Sequence, residues 1–80
     1  MNDVPLDLLG LKCPLPALKT RKALKTLPAG TVLVVACSDP LASIDIPNLI
    51  RETGDELLES GQADGRLIFR IRKSGGDPQA

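Results

Sequence analysis

The residues able to do covalent chemistry in this chain are few. It holds two cysteines and no histidine. The absence of imidazole excludes Cys–His nucleophile pairs. Two thiols without imidazole also make a poor zinc set, so no metal site is expected. What remains is the chemistry of a thiol acting alone. Cys13 lies in the segment Lys12-Cys13-Pro14-Leu15-Pro16. A proline in the first turn of a helix costs no hydrogen bond, because the N–H groups there have no intrahelical acceptor. Each proline also pushes the residue before it out of the helical region. Cys13 should therefore stand just outside a helix, on a stiff, extended lead. The positive end of the helix dipole, adjacent Lys12 and nearby Lys19 should favour thiolate, so the Cys13 pKa is expected below its ordinary value. The prolines withdraw amide donors that would otherwise bind the sulfur, which leaves it nucleophilic and open. The competing reading is that Cys13 is a small packed hydrophobe and Pro14 a simple helix start.

Cys37 ends an apolar run and has no basic neighbour. It is expected to be structural, as buried cysteines usually are. If the sheet carries the end of that run to the Cys13 turn, a Cys13–Cys37 disulfide or resolving pair stays open, subject to the distance test.

Six segments must position these thiols. Val4, Leu6 and Leu8 alternate with Asp3, Pro5 and Asp7, a period of two that marks a half-buried strand. Pro5 suits an edge position, and Gly10 closes the segment. Pro14 to Leu27 is expected to be a helix, with Ala17, Thr20, Leu24 and Leu27 as its buried stripe. Thr31 to Cys37 is a continuous apolar, β-branched run suited to a central strand. Asp39 can cap a second helix with Pro40 at its first position and Gly54 at its end. Pro47 interrupts that span, so either the helix kinks or the main helix begins near Asp45 after a separate turn. Asp55 to Ser60 and Arg66 to Lys73 read as strands joined by a turn in the Gly61–Gly65 region, with Asp64-Gly65 its strongest signal. Leu67, Phe69 and Ile71 should face the core. Residues 74–80 read as a frayed tail.

The order β-α-β-α-β-β predicts an α+β fold: a two-layer sandwich with two helices on one face of a mixed four-stranded sheet. At 80 residues the chain is expected to form one domain. Hydrophobic residues make up 42% of it, too many for disorder. One Phe is its only aromatic residue and the net charge is zero, which argues against direct nucleic-acid binding. No run is long enough to cross a membrane, and the start of the chain lacks the layout of a signal peptide. A cytoplasmic protein with reduced thiols is expected.

The zero net charge hides polarity. Lys12 to Lys25 carries five basic residues and no acidic one, whereas Asp39 to Asp64 carries seven acidic residues and one basic. Leu15 and Leu18 fall off the buried stripe, beside Arg21, Lys22 and Lys25. Leu15, Leu18, Arg21 and Lys22 would form a docking patch for an acidic partner; the plainer reading is a solvated helix face.

These residues resemble the TusA/SirA-like sulfur-carrier proteins. The resemblance runs from Leu6-Asp7-Leu8-Leu9-Gly10 through Cys13-Pro14-Leu15-Pro16, Arg21-Lys22-Ala23-Leu24 and Pro28-Ala29-Gly30. It continues through Asp39-Pro40, Asp45-Ile46-Pro47, Gly54-Asp55-Glu56-Leu57-Leu58 and Phe69-Arg70-Ile71-Arg72-Lys73. It implies the same sandwich. It also implies that Cys13 carries sulfane sulfur as a persulfide, with Lys12, Pro14, Pro16, Asp39 and Asp45 in support. A cysteine desulfurase or rhodanese-type donor would supply the sulfur and an acceptor protein would take it, with no metal or organic cofactor. The outlets in such a family are tRNA thiolation, cofactor sulfur supply and sulfur oxidation. In tRNA-thiolation members the third residue of Cys-Pro-x-Pro is usually acidic; here it is Leu15, which weakens the tRNA assignment and leaves the broader sulfur-transfer reading intact. Two rivals stand beside it: a non-catalytic interaction module whose Cys13 only shapes the turn, and, last, a haem-thiolate site with no histidine to complete it.

Overall fold

The computed structural model describes residues 3–74. Six elements follow in the expected order: β1 (Asp3–Leu8), α1 (Leu15–Thr26), β2 (Val32–Cys37), α2 (Ala42–Thr53), β3 (Glu56–Ala63) and β4 (Arg66–Arg72). The sheet order is β1-β2-β4-β3. β1 pairs parallel with β2, while β4 runs antiparallel to both β2 and β3. The apolar run of β2 is thus central, and Pro5 lies on an edge strand, where proline is tolerated.

Register explains the layers. Leu8 pairs with Cys37, Leu33 with Ile71 and Val35 with Phe69, so their side chains share one face. That face forms a single buried cluster with Leu24 of α1 and Ala42, Ile46 and Ile50 of α2. Both helices therefore cover the same side of the sheet. On the other side Arg70 bridges Asp3 at 3.2 Å and Glu59 at 3.4 Å, and Arg72 pairs with Glu56. These ion pairs tie β1, β4 and β3 across the uncovered face.

Several boundaries depart from the sequence reading. α1 begins one residue later and ends one residue earlier than expected, with Thr20 and Leu24 of the stripe buried and Pro16 joining them. α2 is one helix through Pro47, so the main helix does not begin near Asp45. Asp39 to Ile44 still forms a tight lead-in: Ala42 N donates to Asp39 O, Ser43 N to Pro40 O and Ile44 N to Leu41 O. That turn runs on into the helix. Gly54 caps its end at φ 82°, a left-handed conformation that glycine adopts without a Cβ clash. β3 extends through Gly61 to Ala63, and the hairpin turn shrinks to Asp64 and Gly65, both with positive φ. That is the two-residue turn whose twist matches flanking strands. The longer β3 absorbs a bulge between Leu57 and Glu59. Of the expected tail, Ser74 donates its N–H to Asp55 Oδ1 at 2.9 Å, and 75–80 fall outside the described residues.

Candidate functional site: an exposed thiol between two aspartates

Three connections meet at one end of the sandwich: the β1–α1 loop, the start of α1, and the β2–α2 loop. Gly10 N donates to Ser38 Oγ at 2.8 Å, which ties the first loop to the third. Asp39 completes the tie. Its Oδ2 accepts the backbone N–H of Cys13 at 2.6 Å, and its Oδ1 accepts the backbone N–H of Leu41 at 3.0 Å. These two hydrogen bonds, Cys13's first, hold the Asp39 carboxyl below its ordinary pKa, and the charge of Lys12 adds to them. Asp39 thus braces the turn before α2 rather than capping the helix as expected, since α2 begins at Ala42 with Leu41 as its N-cap, and it also pins the cysteine on another loop.

Cys13 is exposed and precedes Pro14, the N-cap of α1, through a cis peptide bond. Pro16 is buried in the first turn. The Cys13 thiol donates to Asp45 Oδ2 at 2.8 Å. This contact overturns the expected thiolate. The Asp45 hydrogen bond raises the Cys13 pKa, and desolvation and the negative charges of Asp45 and Asp39 raise it further. The carboxylate of Asp45 touches the sulfur and that of Asp39 touches the Cys13 backbone. The charge of Lys12 acts on Asp39. A helix dipole acting alone would lower this pKa, but a direct acceptor for the thiol proton outweighs it.

A groove of about 310 Å³ opens from Cys13 between the helices. Leu18 and Arg21 line it from α1; Asp45, Leu49 and Glu52 line it from α2. Arg21 Nη2 meets Glu52 Oε1 at 2.9 Å, so part of the basic face is paired across the groove. Leu15 and Leu18 are 43% and 54% exposed, in keeping with their place off the buried stripe. Lys22 is exposed on the same helix. The sequence reading missed Leu41 and Ile44, 52% and 59% exposed. The signal was available. They are apolar residues three apart that fall off the buried Ala42, Ile46 and Ile50 stripe of α2 and flank Asp45.

Cys37 is the opposite kind of thiol. It is buried at the end of β2, and burial pushes its pKa up to about 11, with the Asp39 charge adding. Both cysteines are free thiols. Among the described residues no cluster of side chains could hold a metal ion, and no helix is long and apolar enough to cross a membrane.

This geometry has parallels among known proteins. The family described as Sulfurtransferase TusA matches residues 5–73. The sulfur carrier protein TusA of Allochromatium vinosum is 42% identical over 72 residues, covering 90% of this chain and 95% of that one. The TusA of Pseudomonas entomophila is 38% identical over 73 residues, covering 91% of each. Among solved structures, a SirA-like protein from Desulfitobacterium hafniense superposes with a TM-score of 0.78 at 25% identity, covering 89% of this chain and 97% of that one. A match that spans nearly every element, on a fold built around one exposed Cys-Pro-x-Pro thiol, places the chain in the TusA family of sulfur carriers.

Proposed function

We propose that Cys13 accepts sulfane sulfur from a donor protein's persulfide, holds it as its own persulfide, and passes it to an acceptor protein. In acceptance the Cys13 sulfur attacks the donor's terminal sulfur. A new S–S bond forms on Cys13, and the donor's S–S bond breaks. The donor cysteine leaves with the bonding pair and takes up the proton that Cys13 gave up. Release is the same exchange in reverse, with an acceptor thiolate as the attacking group. No oxidant is consumed in either direction.

The observation that carries this reading is the placement of Cys13: an exposed thiol, pinned through its own backbone by Asp39, at the mouth of a groove. A cysteine kept only for packing would be buried, as Cys37 is. Leu18 and Arg21 line the same groove, and with exposed Leu15 and Lys22 of the same helix they would form the docking patch. Pro14 and Pro16 stiffen the loop behind the sulfur. Donors of the cysteine desulfurase or rhodanese type fit this chemistry, as does work in the cytoplasm, where thiols stay reduced. No cofactor enters the exchange.

Cyanide tests the proposal, because it strips sulfane sulfur as thiocyanate. The reduced chain is incubated with a cysteine desulfurase and cysteine, repurified and treated with cyanide. About one thiocyanate per chain is expected. If desulfurase, rhodanese and inorganic polysulfide all load nothing, the reading gives way to the interaction module.

A further inference from the structure

The direct contact between Cys13 and Asp45 is an odd arrangement for a nucleophile. An attacking sulfur must be thiolate, yet this one has its proton held by a carboxylate at 2.8 Å. The charged groups around it do not favour ionisation. Asp39 faces it from the β2–α2 loop and Asp45 from α2. Lys12, on its own loop, acts on Asp39. Arg21, across the groove, is engaged by Glu52. Among the described residues, the charges that act on the sulfur are those two carboxylates.

We propose that Asp45 locks Cys13 as an unreactive thiol in the free chain, and that the lock opens when a partner sets a cationic side chain on the Asp45 carboxylate. The partner is a protein that carries a Lys or Arg beside its transferring sulfur. Charge complementarity selects it, because the carboxylates of Asp39 and Asp45 are the side chains that contact Cys13. Leu41 and Ile44, exposed on the segment that holds Asp45, give that partner apolar contact. A cation on the Asp45 carboxylate competes for its lone pairs and offsets its repulsion, so the Cys13 proton is released and passes to the departing donor cysteine as the sulfur attacks. This deepens the carrier reading and rests on it for the identity of the partner. The lock itself is a property of the free chain.

Small disulfides of different charge test it without a partner. Cystamine is cationic, bis(2-hydroxyethyl) disulfide neutral and dithiodiglycolate anionic. In each case the Cys13 sulfur attacks one probe sulfur and the probe's S–S bond breaks. A mixed disulfide forms on Cys13, and the departing thiolate takes the proton. The Cys13 sulfur is oxidised and the departing sulfur reduced. Rates at neutral pH, followed by intact mass and assigned by peptide mapping, are divided by each probe's rate with 2-mercaptoethanol. Cystamine should lead dithiodiglycolate by about tenfold at low salt, with the gap closing as salt rises. Equal normalised rates in the wild type would overturn the proposal. In Asp45→Asn the gap should shrink, and alkylation by neutral iodoacetamide should rise about tenfold, the effect of a one-unit drop in thiol pKa. An undiminished gap, or an unmoved alkylation midpoint, would refute it. Asp45→Ser repeats both readings if the Asn variant misfolds, as judged by far-UV circular dichroism. None of these rates involves sulfane sulfur, so failure of the lock and failure of the carrier reading are separate results.

Discussion

Ile44 and Ile46 are the same residue type, two positions apart on one helix, with opposite environments. Ile46 is fully buried, whereas Ile44 is 59% exposed. Ile46 packs into the cluster with Leu8, Cys37 and Phe69, and so fixes the first turn of α2, which carries Asp45 to the thiol. Truncating Ile46 to Ala removes buried methyl and methylene groups and leaves a cavity, a loss of about 2–5 kcal/mol. An 80-residue domain has only roughly 4–12 kcal/mol to lose. The melting temperature should therefore fall by at least about 8 °C, given about 4–8 °C per kcal/mol at this size. Ile44→Ala, at the exposed site, should stay within about 0.5 kcal/mol of the parent. The readout is urea and thermal unfolding by far-UV circular dichroism, since the chain has no Trp or Tyr. Comparable losses at the two positions would refute the packing described for α2. Function should divide the other way: Ile44→Ala keeps the fold and slows sulfur exchange with a protein partner.

Thr20 Oγ1 is buried and has no hydrogen-bond partner among the described residues, so Thr20→Val should stabilise the chain by about 1 kcal/mol in urea unfolding. Cys37 keeps its proton in the folded state up to about pH 11, against 9.0 when unfolded. Its contribution to stability is full below about pH 9 and is lost as pH rises through about 11, which the urea midpoint across that range should follow. The Asp39 carboxyl has the opposite sign. Its folded pKa is depressed, so the stability it lends is present above the ordinary aspartate range and lost as pH falls through the lowered value. The amide resonances of Cys13 and Leu41 should report that loss together in an acid titration, since both donate to Asp39.

The layers of this fold were legible because hydrophobic periodicity is a local signal. The alternation of Val4, Leu6 and Leu8 and the unbroken run of β2 predicted an edge and a centre, and the sheet order follows suit. Boundaries were less legible where two preferences compete. Gly61 reads as a turn residue, yet β3 runs through it because pairing with β4 outweighs glycine's weak strand preference. Pro47 reads as a break, but the packing of Ile46 and Ile50 on either side holds α2 together. The site divided in the same way. Cys13, its prolines and Asp39 stood out by type and spacing. The protonation of Cys13 did not, because it depends on Asp45, 32 residues away in the chain and 2.8 Å away in space. Sequence proximity pointed to Lys12 and Lys19, whereas the fold placed a carboxylate in direct contact with the thiol.

The measurement that bears most directly on the central claim is intact mass after loading. The reduced chain, Cys13→Ser and Cys37→Ser are each incubated with a cysteine desulfurase and cysteine. The parent and Cys37→Ser should gain one sulfur atom that a thiol reductant removes, and Cys13→Ser should gain none. A gain that persists in Cys13→Ser would contradict the assignment of Cys13 as the sulfur-bearing residue.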